Sequence, residues 1–134
     1  MCWKLLKVGL AAGIVGIIVS LAIQMLTTGT TSAMFQATAS VWKSWTAPEM
    51  YLMYFVPLWV GVFMAAIYQY TDKKQKVFRK GWIFGFMIWL LAGFPGTLMT
   101  YSSFAIPNEL VGIWMCSGLL QYMAMGWVIA KMKP

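Results

Sequence analysis

Histidine is absent from the 134-residue chain, and charged side chains are scarce. Aspartate, glutamate, lysine and arginine together make up 10% of the residues, whereas typical soluble domains contain roughly 25%. So few charges cannot cover the surface of a water-soluble domain of this size. The lack of imidazole also excludes histidine-ligated haem, zinc sites that use histidine, and the most common general base of enzymes.

Cysteine is nearly absent as well, since the chain contains only Cys2 and Cys116. We expect Cys2 at the membrane surface and Cys116 inside the last apolar segment, so no disulfide is expected between them, and no metal-binding spacing is present. Catalytic pairs of serine or cysteine with histidine are missing, as are nucleotide-binding glycine patterns. The sequence therefore predicts no catalytic residue, no metal site and no cofactor.

What the chain does contain is a set of long apolar stretches flanked by cations. Hydrophobic residues make up 61% of the chain, and the formal net charge is +7. Nine of the ten cations lie near the start, the middle and the end of the chain: Lys4 and Lys7; Lys73, Lys74, Lys76, Arg79 and Lys80; Lys131 and Lys133. This pattern follows the positive-inside rule. It predicts an integral membrane protein with both termini in the cytoplasm. We favour the bacterial inner membrane, and an organelle membrane of similar topology is the alternative.

The expected fold class is all-α, with one four-helix transmembrane domain over residues 1–134. The predicted spans are about 5–26, 48–70, 81–102 and 109–132, each near the 20 residues that cross a bilayer core of about 30 Å. Short connections predict an antiparallel bundle. Residues 1–33 also have the layout of a signal peptide, but the apolar run is long for one, so we predict a retained first helix.

The predicted connections differ in character. Residues 27–32 read as a polar loop. Residues of about 34–46 repeat apolar side chains at helical spacing and carry two tryptophans, which predicts a short amphipathic helix in the outer interface. Residues 71–80 are predicted to form a basic cytoplasmic loop whose cations set the topology. Binding to anionic lipid headgroups or to an acidic surface of a partner is the alternative, and nucleic acid is not expected.

Glycine is spaced as in helices that pack closely. The first and third spans each contain a GxxxG motif, Gly9 to Gly13 and Gly81 to Gly85, which lets another helix approach. We expect helix packing and assembly to use eight glycines: Gly9, Gly13, Gly16, Gly81, Gly85, Gly112, Gly118 and Gly126. Similar residues precede the second and fourth spans and open the first and third, which hints at an internal duplication of a helical hairpin.

The third span is interrupted by the sequence Gly93-Phe94-Pro95-Gly96. Proline removes a backbone hydrogen bond, and we expect the following hydroxyls, Thr97 and Thr100, to satisfy freed carbonyl groups. Broken helices form binding sites in transporters. The amides of Gln24 and Gln121 must also find partners within the membrane. A path lined by the interruption, the two threonines and Gln121 is therefore one hypothesis.

The leading prediction is a non-catalytic structural or accessory subunit that assembles through glycine-rich helix faces. Its partners would be the lipid bilayer and copies of itself or a larger membrane complex, without nucleic acid. The alternative is a small oligomeric transporter or channel that uses the interrupted third helix. An enzyme of lipid or quinone chemistry is less favoured, because the usual acid and base groups are missing from the spans.

Overall fold

The computed structural model of the chain describes residues 2–41, 47–71 and 80–134, apart from the side chains of Cys2, Glu49, Met50 and Met53. These residues form helices and no strand, so the all-α prediction is confirmed for them. The α-helices are α1 (Cys2–Ala37), α2 (Leu52–Thr71), α3 (Gly81–Ile88), α4 (Phe94–Ser103) and α5 (Asn108–Met132). Short 3₁₀ turns occupy Ala39–Val41 and Pro48–Tyr51.

Three of the described helical segments are long and apolar enough to cross a membrane. They are Trp3–Ala37, Gly81–Ser103 and Asn108–Met132. The second and third agree closely with the predicted spans 81–102 and 109–132. The chain is therefore a membrane-associated helical protein.

Helix α1 is longer than its predicted span of residues 5–26, and the predicted polar loop at 27–32 is wrong. The helix runs without interruption for 36 residues. Its threonines bond back to their own helix: Thr27 Oγ1 donates to the Ile23 carbonyl at 2.8 Å, and Thr31 Oγ1 donates to the Thr27 carbonyl at 2.9 Å. Each hydroxyl is thus satisfied inside the helix instead of competing with it.

The predicted interfacial helix at about 34–46 is wrong in its first part. Residues 34–37 are the last turn of α1, and the chain then turns at Thr38, whose Oγ1 donates to the Met34 carbonyl at 2.8 Å. A 3₁₀ turn follows at Ala39–Val41. Residues 42–46 lie outside the described part of the chain, as does most of the predicted basic loop 71–80.

The interruption of the third span is a widened turn, not a break. A π-helical turn at Trp89–Gly93 joins α3 to α4, and the Phe94 N–H donates to the Trp89 carbonyl, five residues earlier. The wider turn admits Pro95 in the first turn of α4, where its missing N–H is tolerated. Thr97 Oγ1 donates to the Gly93 carbonyl at 2.9 Å, as the sequence led us to expect of this hydroxyl.

The helices pack as antiparallel neighbours, with α1 between α2 and α5, and with α5 between α1 and α3. The main core lies at the end of the bundle that holds both termini and the residues on either side of the 72–79 connection. Its fully buried side chains include Val8, Met64, Phe84, Met125 and Ile129. The Tyr68 and Phe84 rings meet edge to face, with centroids 5.1 Å apart, and link α2 to α3.

A second, smaller core lies at the opposite end of the bundle. Ile106, Leu110 and Val111 are buried there against Met34 and Phe35 of α1. The C-terminal end of α1 is thus held against the start of α5 although it extends past the predicted span.

The connection between α4 and α5 is also tied at this end. The Tyr101 hydroxyl donates to Asn108 Oδ1 at 2.9 Å. Asn108 is the first residue of α5, so this bond fixes the start of that helix.

Candidate functional site

The glycines of the two GxxxG motifs lie at close crossings inside the chain. A Cβ atom built on Gly13 would lie 2.6 Å from Leu58 Cα and 2.8 Å from the Pro57 carbonyl oxygen of α2. A Cβ atom on Gly85 would lie 2.8 Å from Met123 Cα of α5. Real Cβ atoms do not approach other atoms so closely, so only glycine allows these backbones to touch.

The two crossings share one geometry. A Cβ atom on Gly61 of α2 would meet the Gly9 carbonyl oxygen and lie 2.8 Å from the Gly13 nitrogen. A Cβ atom on Gly126 of α5 would meet the Gly81 carbonyl oxygen and lie 2.7 Å from the Gly85 nitrogen. In each hairpin one glycine of the second helix sits against two glycines of the first. This match supports the hypothesis of an internal duplication.

The remaining predicted glycines have mixed surroundings. Gly16 gives room to the side chains of Gln121 and Met125, and Gly118 faces the indole of Trp89. Gly112 is exposed, and a Cβ atom on it would have no neighbouring atom within 4 Å. The predicted packing glycines other than Gly112 therefore face neighbouring groups within the chain.

The interrupted third helix is an aromatic packing element. The Trp89 ring lies between Phe86 and Phe94, with centroid separations of 6.1 and 5.6 Å. A Cβ atom on Gly93 would lie 2.6 Å from Trp89 Cδ1, so this glycine makes space for the indole. Pro95 and Gly96 are exposed.

A cavity of about 920 Å³ lies between α1, α2 and α5. It follows α1 from Ile17 to Gln36 and reaches Ala39 in the turn beyond it, and it is bordered by α2 near Tyr54 and Pro57. Small-molecule sites typically have volumes of about 300–1,000 Å³. The described residues that line the cavity are all uncharged, and they are mostly apolar, with hydroxyl and amide groups interspersed.

Four polar side chains form a belt around the cavity. Ser20 and Gln24 lie one helical turn apart on α1, and Ser117 and Gln121 lie one turn apart on α5. Because α1 and α5 are antiparallel neighbours, the two Ser-x3-Gln pairs face the same space. We call these four residues the Ser/Gln belt.

The belt is open to hydrogen bonding. Within the described part of the chain none of its four side chains has a hydrogen-bond partner, and none has a polar atom sealed in the interior. The neighbouring threonines differ, because Thr27 and Thr31 already donate to backbone carbonyls and can only accept.

The structure separates the residues of the predicted path. Gln121 lines the cavity, but Gly93, Pro95, Gly96, Thr97 and Thr100 do not. Sequence reasoning singled out Gln24 and Gln121 and missed Ser20 and Ser117. The signal for the missed residues was the same Ser-x3-Gln spacing in the first and last spans.

The predicted lipid-binding cations are only partly described. Lys80 is exposed just before α3. Lys73, Lys74, Lys76 and Arg79 lie outside the described residues.

Neither a protein-family model nor a curated protein nor a solved structure matches this chain. Its function is therefore inferred from its own geometry.

Proposed function

We propose that the chain is a non-catalytic accessory subunit of a bacterial inner membrane, with four transmembrane spans and both termini in the cytoplasm. The observation that carries the proposal is the pair of matched glycine crossings. They hold two helical hairpins in backbone contact and leave a cavity whose described lining residues offer hydrogen bonds and apolar contacts but no charge. Such an arrangement is suited to binding and supporting other molecules.

The fourth span in this proposal is α2. Its 20 residues reach about 30 Å along the helix axis, which matches the bilayer core. Antiparallel packing then puts the N-terminus of α1 and the C-terminus of α5 at one membrane surface.

Cation–π contacts support this orientation. Lys7 Nζ lies 5.2 Å from the centroid of the Trp3 ring, and Lys131 Nζ lies 4.4 Å from that of Trp127. Tryptophan and lysine together are typical of the interface, and cations favour the cytoplasmic side.

Because the glycine crossings lie within the chain, we propose that assembly uses other surfaces. Gly9, Gly13, Gly81, Gly85 and Gly126 face the chain's own helices. Association with copies or with a larger complex would therefore use the outward surfaces of α2 and of the α3–α4 segment, where Trp59, Phe63 and Leu91 are exposed.

Native mass spectrometry of the gently extracted protein tests the proposal. We expect a fixed ratio of this chain to copies of itself or to larger membrane subunits. The matched variants Trp59→Leu on the outward surface and Met64→Leu in the core should differ, with only the first weakening the assembly. A chain that is strictly monomeric and carries no partner in mild detergent and in nanodiscs contradicts the proposal.

The cavity favours a transporter as the second candidate function. Its path would follow α1, α2 and α5 past Gln121 and would not include the π-helical turn. In proteoliposomes, substrate-dependent flux should be lost in Gln121→Leu and kept in Pro95→Ala. If the flux depends on Pro95 and not on Gln121, the transport path runs along the third predicted span and not through the cavity.

A further inference from the structure

We infer that the cavity between α1, α2 and α5 binds an uncharged amphipathic lipid, whose carbonyl or hydroxyl groups hydrogen-bond to the Ser/Gln belt. The inference rests on the proposed membrane-spanning topology, but it does not depend on any partner protein. Its basis is the depth of the cavity, its lining and the open hydrogen-bonding capacity of the belt.

The belt lies in the half of the membrane away from the termini. At about 1.5 Å per residue, Gln121 lies about 15 Å from Lys131 along α5, close to the bilayer midplane. Gln24 lies about 30 Å from Lys4 along α1, at the outer boundary of the hydrocarbon. The four polar side chains thus span the depth from the midplane to the outer surface, where the headgroup and ester region of an outer-leaflet lipid begins.

The amides of the belt are open to hydrogen bonds from a molecule in the cavity. Each glutamine side chain offers two donors and one carbonyl acceptor. A polar group in hydrocarbon that lacks a partner is costly. The belt can supply hydrogen bonds from two sides to a group that enters the cavity, whereas the described part of the protein supplies none to the belt.

The rest of the lining sets the character of the ligand. Leu21, Val60, Ile113 and Met125 give apolar walls beside the belt, which suit acyl or prenyl chains. None of the described residues that line the cavity carries a charge. A phosphate or carboxylate would therefore lose its hydration without gaining a counter-charge, which favours a neutral headgroup.

The test is photo-crosslinking of the full chain in nanodiscs. The probe is a diacylglycerol that carries a photoreactive group in one acyl chain, and the comparison is phosphatidic acid with the same chains. We expect the diacylglycerol to label peptides that contain cavity residues of α1 and α5. Phosphatidic acid should label these peptides no more than it labels the outward surface of α2.

A double variant, Gln24→Leu with Gln121→Leu, should reduce the labelling by diacylglycerol about tenfold, since two hydrogen bonds of modest strength are lost. Gln69→Leu is the matched control, because Gln69 is a glutamine of α2 that does not line the cavity. Its labelling should equal that of the unchanged chain.

Stability separates a binding role from a structural one. The double substitution should not lower the detergent concentration at which the delipidated protein unfolds, because the two amides bond to nothing in the described part of the protein and leucine removes the cost of an unpartnered polar group. Equal labelling of the double variant and the unchanged chain overturns the inference. A cavity that the diacylglycerol does not label, and that therefore holds only water, also overturns the inference. Strong labelling of the cavity by phosphatidic acid overturns it as well. None of these results alters the assembly measured by native mass spectrometry.

Discussion

Replacing Gly126 by alanine should destabilise the protein, whereas the same change at Gly112 of the same helix should not. At Gly126 the new Cβ would meet the Gly81 carbonyl oxygen and lie 2.7 Å from the Gly85 nitrogen and 2.9 Å from Gly85 Cα. These are backbone atoms of α3 and cannot rotate away. At Gly112 nothing lies within 4 Å of the new Cβ.

The size of the effect follows from the distance that the helices must move. Carbon atoms in contact are about 3.5–4.0 Å apart, so α3 and α5 must separate by about 1 Å, which forfeits about a quarter to a half of the dispersion energy across the crossing. Overpacking of this kind costs about 1–3 kcal/mol. Alanine also gains about 1 kcal/mol of helix propensity over glycine, but both variants share that gain. The variants should therefore differ by about 1–3 kcal/mol.

The assay is reversible unfolding by SDS in mixed micelles, followed by tryptophan fluorescence and circular dichroism. Gly126→Ala should unfold at a lower SDS fraction than Gly112→Ala. Gly61→Ala should behave like Gly126→Ala, because both glycines occupy the same position in their hairpins. If Gly126→Ala and Gly112→Ala unfold at the same SDS fraction, the backbone contact at the crossing is not what holds α3 to α5.

Three further predictions concern the core, α1 and the topology. Phe84→Ala should cost about 3–5 kcal/mol in the same SDS titration because Phe84 is only 2% exposed, whereas Phe63→Ala, at 60% exposure, should cost far less. Spin labels at positions 22 and 37 of α1 should lie about 22 Å apart with a narrow distribution of distances. A broad distribution or a shorter distance would show that residues 27–32 form a loop. In a cysteine-free chain, a cysteine at position 105 should react with an impermeant maleimide from outside the cell, and one at position 80 only after permeabilisation. The reverse pattern would invert the proposed orientation.

The sequence was a good guide where apolar length alone decides the structure. Residues 81–103 and 108–132 are helical almost as predicted, since an apolar run of sufficient length must satisfy its backbone within a helix. The sequence-based prediction was wrong at residues 27–32, because a cluster of threonines was taken as the sign of a loop. The hydroxyls of Thr27, Thr28 and Thr31 instead bond to carbonyls one turn earlier, which removes the conflict with the helix.

The site was less predictable than the helices. A GxxxG motif shows that another backbone can come close but not whether that backbone belongs to the same chain. Gly9 and Gly13 could equally have served an intermolecular contact, but in the fold Gly61 fills the space against them. The two Ser-x3-Gln pairs are visible in the sequence, but they form one belt only because α1 and α5 are neighbours. That neighbour relation depends on tertiary packing and cannot be read from either helix.

The position of the cavity follows from the position of the crossings. The crossing glycines of both hairpins lie toward the end of the bundle that holds the termini, where backbones touch. Helices that cross at a typical angle of about 20–40° diverge away from the point of contact. Between Gly13 and Thr28 the axis of α1 advances about 22 Å, so its separation from α2 should grow by roughly 8–14 Å. That gap is wide enough for a lipid chain, and it opens where Ser20, Gln24 and Gln121 line the cavity. In the proposed orientation, the same glycines that hold the hairpins together thus place the cavity in the outer half of the membrane.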